Sequence, residues 1–204
     1  MKRTLGLAAC MSAAMALVAP MAFAQDTGDW LVRGRVLHLQ SANKDSTGLN
    51  LSVNDKTFPE VDISYFLSPN VALELVLTYP QKHDVRAGSA KIGTLKHLPP
   101  TLLAQWHFPM GNVRPYVGAG VNLTLFSSVR FEPSVVSTIN PRLEKRSVGA
   151  ALQVGMDVPL GDGWLFNVDV KKVQIQTDVF SGAAKAGEFK VDPTLLSVGF
   201  GKRF

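Results

Sequence analysis

The residues of this sequence best suited to acid–base chemistry are its four histidines, His38, His83, His97 and His107. A histidine can act as a general base toward a serine hydroxyl when an acidic side chain orients its ring. None of the four stands at a recognisable Ser-His-acid spacing, although such triads often form only in space. A structural role is therefore favoured for each histidine, and a lipid-modifying enzyme is kept as an alternative.

Other patterns that carry chemistry are weak in this chain. The histidines are scattered and the only cysteine is Cys10, so no ligands stand at zinc-binding spacing. Gly118 and Gly120 lack the rest of a phosphate-binding glycine motif. The formal net charge is +5 over 204 residues, without the dense basic clusters of nucleic-acid-binding proteins. We therefore expect no catalytic residue, no cofactor, no metal and no nucleic-acid partner.

The start of the chain has the composition of a signal peptide. Lys2 and Arg3 precede a mostly apolar stretch at residues 5–18, and Ala22-Phe23-Ala24 fits a cleavage site. Cleavage would remove residues 1–24 with the only cysteine and leave residues 25–204 as one domain without disulfides. No later stretch is apolar enough and long enough for a transmembrane helix. Two fold classes remain, a soluble β-rich domain and an outer-membrane β-barrel.

Apolar residues recur at every second position along the rest of the chain, which is the pattern of strands with two different faces. In the segment at residues 97–108, HLPPTLLAQWHF, one face carries Leu102, Ala104 and Trp106, and the other carries Leu103 and Gln105. The pattern occurs eight times, first at residues 30–40 and last at residues 194–204. The sequence therefore predicts eight strands.

The connections between these strands alternate strictly between short and long. Turns rich in Gly, Pro, Asn and Asp lie near Ser68, Gly111 and Gly161. The long polar connections are residues 41–59, 80–100, 127–146 and 177–192. This alternation is typical of outer-membrane barrels. The predicted fold is all-β, an eight-stranded antiparallel up-and-down transmembrane β-barrel with three short periplasmic turns and four longer extracellular loops.

The composition of the two faces also favours a membrane barrel over a soluble sandwich. The less apolar faces carry mostly Gly, Ala, Ser, Asn and Gln, which fit the narrow interior of a small barrel. Aromatic residues on the apolar faces stand beside the short turns, as in an interfacial girdle. These aromatic residues are Trp30, Trp106, Phe108, Trp164 and Phe204.

Several of these segments resemble the OmpW family of small outer-membrane proteins. The resemblance is carried by HLPPTLLAQWHF at residues 97–108, RPYVGAGVN at residues 114–122, NVALEL at residues 70–75, Trp164 with Asn167, and the ending GFGKRF. It implies a monomeric eight-stranded barrel in the outer membrane of a Gram-negative bacterium. It also implies passage of small hydrophobic compounds, as in the related alkane-import proteins.

The chain departs from the family pattern at two positions. Lys171 stands where the family often has a tryptophan, and a lysine in the lumen could shift a gate. Lys202 replaces an aromatic residue two positions before Phe204. Phe204 is still the terminal aromatic residue that the resemblance implies for recognition by the barrel-assembly machinery.

With the apolar faces assigned to lipid, the opposite faces line a lumen whose chemistry changes with depth. Its outer half is expected to be hydrophobic, lined by Leu37, Leu39, Val76, Leu103, Phe126, Val173, Ile175 and Leu195. Its periplasmic end is expected to form a polar floor, which includes Arg33 and Arg35 and in particular Glu74, His107, Arg114, Asp157, Asp169 and Arg203. Buried charges need partners, so we expect ion pairs among Arg114, Arg203, Glu74, Asp157 and Asp169.

A polar floor of this kind would block a continuous water channel, so a hydrophobic solute that enters from outside would leave sideways into the bilayer. Pro99 and Pro100 cannot donate ladder hydrogen bonds and stand at the outer rim, which makes them candidates for a lateral exit. They could also simply begin a strand. The expected function is passive uptake of small hydrophobic molecules, and a surface receptor for phage, bacteriocin or host is the alternative.

Overall fold

The computed structural model describes residues 29–204, so the signal peptide expected at residues 1–24 lies outside the described residues. No helix in this part of the chain is long and apolar enough to cross a membrane. In chain order the elements are β1 (Trp30–Gln40), β2 (Lys44–Asp45), β3 (Leu51–Val53), β4 (Lys56–Ser68), β5 (Val71–Leu77), β6 (Gln81–Ala87), β7 (Ala90–Leu98), β8 (Thr101–His107), β9 (Arg114–Phe131), α1 (Pro133–Ile139), β10 (Pro141–Leu143), β11 (Arg146–Gly161), β12 (Trp164–Val173), β13 (Gln176–Ser181), β14 (Ala184–Lys190) and β15 (Thr194–Arg203).

Eight long strands close into one antiparallel barrel. The cyclic order is β1, β4, β5, β8, β9, β11, β12 and β15, and β15 pairs back onto β1. At the closing seam Val32 stands opposite Lys202, and the backbones of Trp30 and Phe204 exchange hydrogen bonds. Neighbours in the barrel are neighbours along the chain, as in an up-and-down topology. The predicted fold class is confirmed.

The two faces of each strand differ as the sequence pattern indicates. On β8 the outward side chain of Trp106 is 52% exposed, whereas the inward neighbour Gln105 is 2% exposed. Outward rows of Leu, Val and Phe run around the whole wall. The aromatic residues expected in a girdle all lie on the outer surface beside the short turns, namely Trp30, Trp106, Phe108, Trp164 and Phe204.

The three short turns join β4 to β5, β8 to β9 and β11 to β12, as expected. The four long connections differ from the polar loops expected of them, because most of their residues form secondary structure. Strands β6 and β7 form a hairpin that continues the wall above β5 and β8 and pairs with β9 and β3. Strands β10, β13, β14 and β2 form a second sheet. We call these elements, with α1, the extracellular extension.

The side chains inside the barrel form three layers. Leu31, Phe66, Ala72 and Leu165 form a small apolar cluster nearest the short turns. Charged and polar side chains fill the middle of the barrel. A larger apolar cluster begins above them and continues into the extracellular extension, and we call it the upper apolar cluster. The expected polar floor is therefore a middle layer that rests on apolar side chains.

Candidate functional site

Two arginines of β1 form the centre of the polar layer. The Arg33 guanidinium binds Asp157 through two nitrogens, at 3.2 Å from Oδ1 and 2.7 Å from Oδ2, and donates to Asp62 Oδ1 at 2.9 Å. Arg35 Nη2 lies 2.7 Å from Asp62 Oδ2 and 3.3 Å from a Glu74 carboxylate oxygen. Because all of these side chains face the lumen, one pair of arginines contacts carboxylates from three other strands, β4, β5 and β11.

Lys171 closes the top of this layer. Its Nζ lies 2.6 Å from Asp169 Oδ1 and 2.9 Å from Glu60 Oε1, and Glu60 also lies 2.9 Å from Arg35 Nε. The charge of this lysine is therefore paired with two acids. Gln153 joins the layer by donating to Glu74 Oε2 and Asp169 Oδ2, both at 2.8 Å.

The layer holds an excess of acidic groups in a dry environment. Its cations are Arg33, Arg35 and Lys171, and its carboxylates are Glu60, Asp62, Glu74, Asp157 and Asp169, all with side chains at most 1% exposed. Charges removed from water are stable only when ion pairs and hydrogen bonds replace their hydration. The layer is therefore a closely bonded network of ion pairs and hydrogen bonds across the lumen.

The expected floor residues are distributed differently from the prediction. Glu74, Asp157 and Asp169 lie in the layer. His107 lies beneath it, with Nε2 at 3.1 Å from Gln105 Oε1. Arg114 is nearly buried but forms no ion pair within the described chain. Arg203 lies at the periplasmic rim and binds Asp29.

The expected cations of the network are thus corrected. Arg33 and Arg35 take the place assigned to Arg114 and Arg203, because β1 carries them two and four positions deeper than its inward-facing Leu31. Glu60, Asp62 and Lys171 were missed as partners. The alternation places all of them on inward faces, but the pairs depend on relative depth around the barrel.

The eight side chains expected to line a hydrophobic outer lumen, Leu37, Leu39, Val76, Leu103, Phe126, Val173, Ile175 and Leu195, all lie in the upper apolar cluster. All of them except Leu103 and Phe126 border a cavity, the lumen cavity, with a free volume of about 20 Å³. This volume suits about one water molecule. Glu60 and Lys171 form its lower boundary, and Pro99 and Thr101 lie on its side.

The barrel wall has a gap in its strand pairing beside this cavity. Val76 pairs with Thr101 on β5 and β8, and the next pair upward is Gln81 with His97 on β6 and β7. Residues 77–80 and 98–100 have no paired partner across this seam in the described strands. Pro100 is held from the other side only, where its carbonyl accepts from the Leu123 amide at 3.0 Å.

The extracellular extension encloses a second apolar cavity. Its free volume is about 30 Å³, and its lining includes Leu51, Val85, Leu95 and Phe189 together with Ile139 of α1. Leu51, Val85, Leu95 and Phe189 also belong to the upper apolar cluster. Apolar side chains are therefore continuous from this outer cavity to the lumen cavity.

The histidines occupy three different environments. His38 is on the outer surface, with Nδ1 at 2.9 Å from Thr57 Oγ1, and His107 lies below the polar layer. His83 and His97 stack face to face in the extracellular extension, with ring centroids 4.6 Å apart. Burial lowers the pKa of His83, and burial together with the neighbouring His83 lowers the pKa of His97 to about 3.

Comparison with known proteins gives consistent matches. The model of the OmpW family matches residues 26–204. The outer-membrane protein y4mB of Sinorhizobium fredii is 35% identical, over 96% of this chain and 91% of that protein. Outer membrane protein W of Vibrio cholerae is 31% identical over the full length of both chains. The crystal structure of OprG from Pseudomonas aeruginosa has a TM-score of 0.75 at 28% identity, covering 88% of this chain and 97% of that one. This chain is therefore an outer-membrane β-barrel of Gram-negative type and belongs to the OmpW family.

Proposed function

We propose that the protein is a passive channel for the uptake of small hydrophobic molecules. The solute enters from outside through the extracellular extension, occupies the upper apolar cluster and leaves sideways into the bilayer. One observation carries this proposal: the apolar cluster runs from the outer cavity into the lumen and ends at a buried ion-pair layer. The family resemblance points to the same class of solute.

A straight path through the barrel is opposed by the polar layer. An apolar solute that crossed it would have to separate Arg33 from Asp157 or Lys171 from Asp169, and it could not replace either contact. Breaking one buried ion pair costs about 3–5 kcal/mol. Movement within the apolar cluster requires only rearrangement of apolar side chains.

The gap in strand pairing supports a lateral exit at Pro99 and Pro100. Both prolines lack an amide hydrogen, so residues 99 and 100 cannot donate to a neighbouring strand. Pro99 borders the lumen cavity, and the carbonyls of both prolines accept hydrogen bonds from Asn122 on β9. The segment is therefore anchored to β9 and unpaired toward β5 and β6, where the wall can part.

Entry of an apolar fluorescent dye, diphenylhexatriene, tests the solute path. Cells carrying Leu103→Asp or Phe126→Asp in the outer membrane should take up the dye several-fold more slowly, because a carboxylate then stands in the apolar path. Ala184→Asp, at an exposed position of the β13–β14 hairpin, is the matched control. Equal rates for all variants that reach the folded form would remove these residues from the path.

The exit has its own test. Replacing Pro99 and Pro100 with alanine restores two backbone donors and should let the seam close, so dye entry slows. Pro59→Ala is the control, because Pro59 stands opposite Val36 on the side of the wall formed by β1 and β4. Unchanged entry in the double variant would refute the lateral exit and leave the apolar path intact.

We further propose that the barrel acts as a monomer in contact with outer-membrane lipid. The closed ladder leaves no unpaired barrel edge among the described strands, which supports a monomer. Phe204 is exposed on the outer surface, where the assembly machinery can recognise it. Crosslinking in native membranes and barrel assembly of Phe204→Ala test these two points.

A further inference from the structure

Three polar side chains, Gln81, His83 and His97, face inward at the top of the seam, beside the upper apolar cluster. Gln81 stands directly opposite His97 on β6 and β7, and the His83 ring stacks on the His97 ring at 13° between planes. Gln81 and His83 are fully buried and His97 is 1% exposed. Phe126, opposite His97 on β9, belongs to the upper apolar cluster. The group therefore lies beside the proposed solute path.

One polar atom of each side chain is buried without a hydrogen-bond partner in the described structure. These atoms are Gln81 Oε1, His83 Nε2 and His97 Nε2, and Thr78 Oγ1, at the edge of the lumen cavity, is a fourth. The large majority of buried side-chain polar atoms in proteins have a hydrogen-bond partner. Several unpaired atoms at one place indicate a group that binds something the chain itself does not supply.

The hydrogen bonds already made determine what the free atoms can do. His83 Nδ1 lies 2.9 Å from the Asn54 carbonyl, which can only accept, so Nδ1 carries the hydrogen and Nε2 of the neutral ring is an acceptor. The Gln81 amide nitrogen donates to the Tyr79 carbonyl at 2.9 Å, which leaves Oε1 as an acceptor. The free atoms of Gln81 and His83 therefore both require a donor.

A metal ion does not fit this pair of histidines. A metal lies in the plane of each imidazole that binds it. The two ring planes are nearly parallel, at 13°, with centroids 4.6 Å apart, so they do not meet at a shared position. A hydroxyl or N–H hydrogen can reach a single acceptor and is not subject to this limit.

We propose that Gln81, His83 and His97 form a binding site for the donor headgroup of amphipathic solutes, which are small apolar molecules with one hydroxyl or N–H group. The headgroup donates its one hydrogen to His83 Nε2 or Gln81 Oε1, while the apolar body lies along Phe126 and the upper apolar cluster. This inference rests on the proposed uptake function and specifies its solutes. Alcohols and phenols fit the site because they carry a hydrogen to donate. Carboxylates and ethers do not fit, because they offer only acceptor atoms to side chains whose free atoms are also acceptors.

Uptake of three labelled solutes of equal chain length, octanol, heptyl methyl ether and nonane, tests the proposal in cells that carry each variant. The double variant Gln81→Leu with His83→Phe, which removes both acceptors, should slow octanol entry about tenfold, the effect of one buried hydrogen bond of about 1.4 kcal/mol. Entry of the ether and of nonane should stay within twofold. His38→Leu, at an exposed histidine on the outer surface, should change none of the three.

A binding measurement keeps the test independent of folding defects in the variants. In the detergent-solubilised wild-type protein, the ¹⁵N resonance of His83 Nε2 should shift when octanol is added and remain in place with the ether. An unchanged resonance with octanol, or equal losses of octanol and ether uptake in the variants, would overturn donor recognition. Nonane entry no faster than in cells without the protein would instead refute the uptake function itself.

Discussion

Replacing Arg33 with methionine should destabilise the barrel and open it to ions. The Arg33 guanidinium lies 2.7 Å from Asp157 Oδ2 and 2.9 Å from Asp62 Oδ1, and it also donates to Ser64 Oγ at 3.0 Å. Methionine keeps the apolar stem and removes the charge, so the effect reports on the ion pairs rather than on packing alone.

The size of the effect follows from the charges that stay behind. Without Arg33 only two cations, Arg35 and Lys171, remain for five carboxylates whose side chains are at most 1% exposed. Removing one partner of a buried pair costs about 3–5 kcal/mol. We expect the upper part of this range, because Arg33 contacts acids from both β4 and β11.

Two measurements test these two consequences, the loss of stability and the passage of ions. Denaturant unfolding in lipid vesicles, followed by tryptophan fluorescence, should show the loss of free energy. Planar-bilayer recordings should show larger ion conductance, because water must enter to solvate the unpaired acids. Arg130→Met, at an exposed arginine of β9, should change the free energy by less than about 0.5 kcal/mol.

A loss of unfolding free energy below about 1 kcal/mol, with unchanged conductance, would refute the proposal that the layer blocks water and ions. If Arg33→Met does not assemble, Arg33→Met combined with Asp157→Asn removes one anion with the cation. That double variant should recover the folded form, since the remaining charges keep Arg35 and Lys171 as partners. Equal failure of both variants would show that charge balance is not what the layer provides.

Three further outcomes are expected. In Gly120→Val the new Cβ would lie 1.9 Å from the Leu102 carbonyl oxygen, so the variant should lack the heat-modifiable folded band on gels. Gly34→Ala is the control and should show this band, because the space around its Cβ position is open. In Lys171→Met two acids lose their lysine contact, at 2.9 and 2.6 Å, so the free energy of unfolding should fall by about 3 kcal/mol in denaturant titrations. In the extracellular extension, stability should decline as the pH falls below about 6.5. The pKa of His97 is about 3 in the folded form and about 6.5 in the unfolded form, so between these values the unfolded form binds a proton that the folded form does not. Limited proteolysis at pH 7 and pH 4.5 checks this, and His97→Leu should weaken the dependence.

The barrel strands could be predicted from the sequence because their period of two is uninterrupted. Strand β1 begins at Trp30 and ends at Gln40, as the alternation of its apolar residues indicates. The alternation does not predict the extracellular strands, because their pattern is irregular. In the β6–β7 hairpin, for example, the register shifts between Val85 and Arg86, which interrupts the alternation.

The same alternation could not predict which residues pair in the ion-pair layer. Alternation tells which side chains face inward, but partners across a barrel are set by strand stagger and tilt. Arg33 and Asp157 are 124 residues apart and meet only because both lie at the same depth. The sequence also could not indicate that atoms of Gln81 and His83 are unpaired, because this depends on the hydrogen bonds that their side chains already form with neighbouring backbone carbonyls.

The distribution of ion pairs around the barrel is compatible with the proposed lateral exit. The charged side chains of the layer come from β1, β4, β5, β11 and β12, which are tied together across the lumen. Within the described chain, β8 and the preceding β7 contribute no charge to this layer, and β8 is held to it through the neutral bond from Gln105 to Gln153. Separating residues 77–80 from residues 98–100 therefore breaks no ion pair. The lateral exit that we propose at this seam would therefore leave the ion-pair layer intact.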